Sequence, residues 1–311
     1  AAKRAHYEEQ NESIIATVAK EPTETEIEAK KEAIMKEYLD VFYSKGNFRP
    51  MTVPPMKIIL KEDAVPYACH SSRAIPPRIR SKVEKYLYDL VDDGVIERVG
   101  DRPTAWCHPL VIVPKPDGDI RITTDFTKLN NQCERPVHLA RTPIDTVTDR
   151  TLGAQFFTTL DAKSGYFQLE LDEESRDITT FMTPFGRYRY LRGPQGYIGT
   201  GDVYNLHGDI AVEGIPQVVK IVDDIRVEDL TFNEHVDRVR LVLDRCRKHG
   251  ITLNPKKFKF AQKQVKFAGF IVSREGVEAD PEKIRAITDF PPPTNISELR
   301  SFMGMVNQLS N

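Results

Sequence analysis

The 311-residue chain lacks most of the features that mark specialised protein classes. No apolar run approaches the roughly 18–20 residues that a membrane span requires, so no membrane partner is expected. The four cysteines, Cys69, Cys107, Cys133 and Cys246, are scattered, without a C-x-x-C pair. That spacing argues against a disulfide framework and a zinc site, and for a reducing compartment. Cys107-His108 is a single adjacent pair, whereas metal sites need more ligands at suitable spacing. The start, AAKRAHYEEQ, has no initiator Met and no signal-peptide pattern, so a processed piece of a longer chain is expected. There is no internal repeat, and no low-complexity tract beyond an acidic N-terminal segment. What remains is an ordinary globular composition, long enough for two or three subdomains and a sizeable core.

A net charge of −2 conceals an asymmetry. The first fifty residues are acidic and Glu-rich, as in EPTETEIEAKKE. Later come Arg245, Arg247, Lys248, Lys256, Lys257, Lys259, Lys263, Lys266 and Arg274, with no Asp or Glu among them. Phe258, Phe260 and Phe267 are interleaved with these cations. Such a run is either a solvated face or the footprint of a polyanion partner.

Hydrophobic spacing places the elements. One helix is expected at about 26–42 and another over 78–91, where Ile79, Val83, Leu87 and Leu90 keep helical spacing. The second stops at Asp92-Asp93-Gly94, ordinary helix-end chemistry. PLVIVPKPDGDIRITTDF reads as a strand, a Pro-Asp-Gly turn and an alternating strand, a strong hairpin signal. Alternation puts Arg121 and Thr123 on the face opposite Ile120 and Ile122. Further on, QFFTTL runs into Asp161, and strands around FQLEL and GRYRYL flank MTPFG. A helix follows at about 201–212, with Val203, Leu206 and Ile210 in helical register. Strands QVVKIV and IRVE then enclose Asp223-Asp224. A last helix opens on the capping box Thr231-Phe-Asn-Glu234, turns Val236, Val239, Leu243 and Cys246 inward, and closes at Gly250.

Two adjacent carboxylates within a half-buried strand pattern resist desolvation and repel each other. A polar turn is the bland explanation, and the chain repeats Val-Asp-Asp at Val91, Asp92 and Asp93, where helix-end chemistry accounts for it. The second pair has a different context. Without the two inserted strands, the order is strand, helix, hairpin, helix, the start of a split β-α-β sheet. In that topology the first two strands run the same way and the third lies antiparallel between them. The end of the first strand then meets the hairpin turn, and Asp161 meets Asp223 and Asp224. Three converging carboxylates call for divalent cations, and two such ions form the clamp used for phosphoryl transfer.

From about Pro55 onward the chain resembles the reverse transcriptase of gypsy-type long-terminal-repeat retrotransposons. The resemblance rests on WCHPLVIVPKPDGDIRITTDFTKLN, TTLDAKSGYFQLELDEES, TTFMTPFGRYRYLRGPQG, IVDDIRV, HGITLNPKKFKFAQKQVKFAGFIVS and LRSFMGMVNQL. These stretches keep the family's order and near spacing over about four-fifths of the chain. The resemblance implies an α+β, right-hand polymerase fold with fingers, palm and partial thumb, and a ferredoxin-like antiparallel palm sheet. The implied boundaries are an N-terminal segment to residue 54, fingers at 55–134 and 167–194, palm at 135–166 and 195–278, and thumb at 279–311. It implies Asp161, Asp223 and Asp224 as catalytic ligands of two Mg2+ ions, with Mn2+ as a substitute. Lys115, Arg121, Tyr166 and Gln195 would serve the deoxynucleoside triphosphate, with Tyr166 excluding a ribose 2′-hydroxyl. Lys256, Lys257, Lys259, Phe267, Gly269, Arg300 and Gly304 would serve the RNA or DNA template with its primer. RNase H and integrase regions of a parent polyprotein are the implied covalent partners. The implied location is intracellular, in cytoplasmic particles or the nucleus.

Three departures from the family pattern stand out. Ile221 replaces the usual aromatic residue before x-Asp-Asp, Gly193 replaces an apolar residue before Pro-Gln-Gly, and YIGTGDVYNLHGD differs from the more familiar helix start. Three readings stay open at this level: an active RNA- and DNA-directed DNA polymerase, a decayed or co-opted copy that binds nucleic acid without chemistry, and another two-metal reaction on the same sheet. The fingers hairpin and the thumb-like end weigh against the last.

Overall fold

The computed structural model describes residues 21–114, 118–138, 142–148 and 153–307. Its strands run β1 (Ile96–Arg98), β2 (His108–Pro114), β3 (Ile120–Thr124), β4 (Phe156–Asp161), β5 (Phe181–Thr183) and β6 (Gly186–Tyr190). They continue as β7 (Val218–Ile221), β8 (Asp224–Asp229), β9 (Lys259–Gln262), β10 (Gln264–Phe267), β11 (Phe270–Ser273) and β12 (Val277–Ala279). Three sheets result, in the orders β1-β6-β5-β2-β3, β7-β8-β4-β9 and β10-β11-β12.

The expected hairpin forms between β2 and β3, pairing Leu110 with Thr124 and Pro114 with Ile120. Ile120 and Ile122 are buried while Arg121 is exposed, as the alternation requires. In the central sheet β8 is antiparallel to both β7 and β4, so those two run the same way, as expected. Alternation gives β4 two working faces. Phe156 and Leu160 enter the main core beneath the helices Ile198–Val212 and Phe232–His249. Phe157 enters a second core with Val219, Val265, Phe267, Phe270 and Val272, between the central sheet and the β10–β12 sheet.

A buried polar row ties β4 to the second helix. Thr158 Oγ1 lies 2.6 Å from His235 Nε2, and His235 Nδ1 lies 2.9 Å from Asp229 Oδ2. Arg238 donates to the other Asp229 oxygen at 2.6 Å. Thr158 Oγ1 also accepts from the Ala261 N–H, leaving its own proton for the imidazole. Burial holds the imidazole pKa below its ordinary value, so the ring is neutral and bridges Thr158 to Asp229. The row has the composition of a nucleophilic triad, but all three members are buried, and it works as a brace.

Three expectations need correction. The first helix spans Glu24–Glu37, not 26–42; Tyr38, Val41 and Phe42 are buried beyond its end, and Phe42 bridges to Leu253. FQLEL is not a strand: Gly165–Gln168 is a 3₁₀ turn, followed by single bridges at Glu170 and Leu171. Its apolar alternation arises because Phe167, Leu169 and Leu171 are all buried in an irregular segment. In the helix Ile198–Val212, Leu206 and Ile210 face outward while Tyr204, Gly208 and Ala211 face inward.

The buried Gln168 side chain stands in for a strand neighbour. Its amide donates to the Lys163 and Thr252 carbonyls and accepts from Thr252 N–H, each at 2.8 Å. Gln168→Leu keeps the volume but leaves the Lys163 carbonyl and the Thr252 N–H without partners, while the Thr252 carbonyl keeps the Lys163 N–H. It is expected to lower stability by about 3–5 kcal/mol, read from the urea unfolding midpoint.

Candidate active site

The hairpin between β7 and β8 closes on the pair Ile221–Asp224, leaving Val222 and Asp223 as a two-residue turn. Val222 has φ 48°, a positive value at the first central position, which suits the twist of the flanking strands. For a β-branched residue this conformation is strained, at a cost of about 1–3 kcal/mol. Asp224 is paired with Asp161 across β8 and β4. Beyond that pair, the Ala162 N–H donates to the Asp223 carbonyl at 2.8 Å, fixing the turn against the end of β4. The three carboxylates thus share one sheet edge, as the topology implied.

The environment of Asp223 and Asp224 disfavours charge. Burial raises the Asp223 carboxyl to about 6; Asp161 and Asp224 push the same way, against the Tyr204 hydroxyl and the Lys220 ammonium. Asp224 is also raised, by burial and then by Asp161, and partly relieved by Lys257. Asp223 Oδ1 is buried without a hydrogen-bond partner. Lys257 Nζ lies 2.6 Å from Asp161 Oδ2. Burial works against the Lys257 charge, but the bond to Asp161 and the nearby aspartates outweigh it and raise its pKa.

The carboxylate oxygens of Asp161, Asp223 and Asp224 are the hard donors that divalent cations take, and Lys257 already places a positive charge on Asp161. Among the described residues no three His, Cys, Asp or Glu side chains stand close enough to cage an ion as they are.

Of the other expected site residues, Tyr166 lies near this edge. Tyr166 sits half-buried on the 3₁₀ turn, its ring edge-on to Tyr204 at 5.5 Å. A Cβ on Gly193 would stand 2.7 Å from the Tyr166 carbonyl, and one on Gly201 would stand 3.2 Å from its hydroxyl. Both glycines, departures or parts of departures in sequence, therefore pack directly on Tyr166. Thr123 Oγ1 donates to the Gln195 carbonyl at 3.1 Å, and Gly196 at φ 95° packs against Thr124, joining this loop to β3. Arg121 is exposed on β3, near enough to Tyr86 to oppose the rise of its pKa. Lys115 lies outside the described residues. Ile221 packs against the second core.

The residues expected on nucleic acid divide into two groups. Lys256, Lys257 and Lys259 are exposed on one short segment, and Arg300 and Gly304 are exposed on the helix Ile296–Asn307. Phe267 is instead buried, under the Arg226 guanidinium, because β10 turns it into the second core. The β10–β11 turn therefore presents Ala268 and Gly269 at its tip. Gly269 has φ 87°, and a Cβ there would strike Lys283. The basic run is also less free than its composition suggests. Arg247 pairs with Asp40, Lys263 with Glu21, and Lys266 with Asp280 and Glu282.

A family model described as reverse transcriptase (RNA-dependent DNA polymerase) matches residues 113–272, just over half the chain. The chain belongs to the reverse transcriptase family. Its relatives include the retrovirus-related Pol polyproteins of two Drosophila melanogaster transposons. With that from opus it is 34% identical over 281 residues, covering 84% of this chain and 27% of the relative. With that from gypsy it is 31% identical over 248 residues, covering 76% of this chain and 23% of the relative. The chain thus spans about a quarter of these polyproteins. The foamy viral protease-reverse transcriptase in complex with an RNA/DNA hybrid superposes with a TM-score of 0.81 at 20% identity, covering 94% of this chain and 39% of that one. Its complex with double-stranded DNA gives 0.81 at 21% identity, covering 93% and 60%. The fold is that of a right-hand polymerase, and the central four-stranded sheet is its palm.

This reverse transcriptase palm carries a stability signature. A carboxyl raised in the folded state contributes stability that is present below its unfolded pKa and lost as pH rises through the folded value. Metal-free protein should therefore lose up to about 3 kcal/mol between about pH 4 and pH 7 through Asp223. Asp223→Asn should remove most of that dependence in urea unfolding with a chelator present.

Proposed function

We propose that this chain is the polymerase portion of a retrotransposon polyprotein, an RNA- and DNA-directed DNA polymerase that extends a primer with deoxynucleotides. The observation that carries the proposal is the convergence of Asp161, Asp223 and Asp224 at the edge of a palm sheet. A cleft for nucleic acid and triphosphate accounts for what lies around it. In this reading residues 55–134 and 167–194 form the fingers, 135–166 and 195–278 the palm, and 279–311 the thumb. RNase H and integrase regions of the parent polyprotein are proposed as neighbours in the chain, and intracellular particles or the nucleus as the place of action.

Asp161, Asp223 and Asp224 would hold two Mg2+ ions, with Mn2+ able to replace them. Bound there, the ions supply charge neutralisation for the attacking 3′-hydroxyl and the leaving pyrophosphate. The chain's own groups do the positioning. Arg121, projecting from the solvent face of β3, offers bidentate contacts to triphosphate oxygens, and Lys115, the residue after β2 in sequence, is proposed to join it. Tyr166, braced from behind by Gly193 and Gly201, presents a rigid ring beneath the sugar and leaves no space for a 2′-hydroxyl. Gln195, joined to β3, borders the nucleotide. Lys256 and Lys259 meet backbone phosphates, and Lys257, displaced from Asp161, gains an anion nearby.

A decayed copy that binds without chemistry is not favoured. Decay removes the reason to keep three partly desolvated carboxylates around a strained turn, and all three are intact. Primer extension on RNA and DNA templates tests the proposal. Asp161→Asn and Asp223→Asn should each abolish extension while the fold remains intact; near-normal synthesis by either would sink the assignment. Tyr166→Val should admit ribonucleotides, read as a fall of at least tenfold in the deoxy-to-ribo preference. Arg121→Ala should raise the KM for nucleotide far more than it alters primer-template affinity.

A further inference from the structure

Beneath Asp223, on the helix side of the palm, lies a layer of polar side chains that the polymerase proposal leaves without a part. Tyr204 is buried, and a Cβ on Gly165 would stand 2.1 Å from Asp223 Oδ1 and 2.5 Å from the Tyr204 hydroxyl. The carboxylate and the phenol thus meet over the bare face of Gly165. Lys220 lies almost wholly buried behind them, its Nζ 5.5 Å from the Tyr204 ring centre and 3.0 Å from Asp209 Oδ1. Asp209 is held in turn by His138 Nε2 at 3.0 Å.

The sequence has been shaped around this row. Alternation along β7 sends Val219 to the second core and Lys220 to the helix side, a position that apolar residues ordinarily fill. Tyr204 and Gly208 are four residues apart on one helix face, so they line up beneath that lysine. A Cβ on Gly208 would stand 2.4 Å from Lys220 Cε and 2.8 Å from its Nζ. A glycine in a helix interior costs about 1 kcal/mol relative to alanine, so its presence calls for a packing reason. The lysine is that reason. Burying an ammonium is costly without a partner, and the aromatic face and Asp209 provide two.

We infer that Tyr204, held in place by Lys220, is a positioning residue for Asp223: it fixes the carboxylate from below so that its free edge is presented to divalent cation in the cleft. This rests on the polymerase reading for its biological use, but the geometry concerns the binding of the ion alone. The Tyr204 hydroxyl meets Asp223 Oδ1, an oxygen with no other donor, and a phenol has a proton to offer it. Lys220 in turn presses on the ring and pins its orientation, while Asp209, itself bonded to His138, holds Lys220.

The test uses the full chain and Mn2+ alone as probe, with binding followed by calorimetry or by the electron paramagnetic resonance of free Mn2+. Tyr204→Phe keeps the ring and removes only the hydroxyl. It should weaken Mn2+ binding about tenfold, the loss expected for one charge-assisted hydrogen bond. In primer extension it should lower kcat with the KM for nucleotide unchanged. Lys220→Met should shift both readouts in the same direction. Gly208→Ala, which raises helix propensity, should imitate Lys220→Met because its methyl group evicts the lysine. Equal melting temperatures for wild type and Tyr204→Phe establish that the fold is unaffected. Mn2+ affinity and kcat within twofold of wild type in Tyr204→Phe would overturn the inference. Should wild type fail to extend a primer, the polymerase reading falls, while the Mn2+ comparison still decides the role of Tyr204.

Discussion

Mutual repulsion among three carboxylates at one sheet edge is the constraint on which the rest of this structure depends. The backbone forces the encounter: the end of β4 and the β7–β8 turn are registered residue against residue, with Asp161 opposite Asp224. Left alone, partly desolvated carboxylates so close together favour protonation, which is the direction seen for Asp223 and Asp224. Three devices hold the arrangement together. Lys257 places an ammonium on Asp161, the Ala162 amide pins the turn, and the Tyr204–Lys220 layer supports Asp223 from below. The first acts on Asp161 and the other two on Asp223.

Much of this was legible in the sequence, because the strand order follows from period and turn chemistry. The alternation in DIRITTDF, the capping box at Thr231 and the stop at Gly250 are local signals, and local signals survive tertiary context. The convergence of Asp161 with Asp223-Asp224 followed from topology alone. What escaped was decided by packing at a distance. FQLEL alternates like a strand, yet Gln168 supplies the hydrogen bonds that a neighbouring strand would have made. Leu206 and Ile210 kept helical spacing but face outward, because Tyr204 and Gly208 are needed beneath Lys220. Phe267 read as part of a nucleic-acid surface, and strand alternation turned it inward. The signal for the hidden layer was present as oddities: a lysine within an apolar strand, and glycines at residues 199, 201 and 208 of a helix.

The charge asymmetry has a similar resolution. An acidic N-terminal segment and a basic stretch some 200 residues later look like independent features. In the fold they are partners, with Asp40 on Arg247 and Glu21 on Lys263. These exposed pairs add little stability individually. Lys256 and Lys259 stay exposed on either side of Lys257, next to the carboxylates. On the proposed function, a polyanion drawn there would meet this positive charge beside the carboxylates.

The central claim is that this edge is built to hold divalent cations between a primer end and a triphosphate. Anomalous diffraction from crystals of the chain with an RNA/DNA primer-template, a non-hydrolysable deoxynucleotide and Mn2+ tests it most directly. The account predicts two anomalous peaks among Asp161, Asp223 and Asp224, about 3.5–4 Å apart, with Lys257 moved off Asp161. Bound nucleic acid and nucleotide with no peak at these carboxylates, and Lys257 still paired to Asp161, would contradict it.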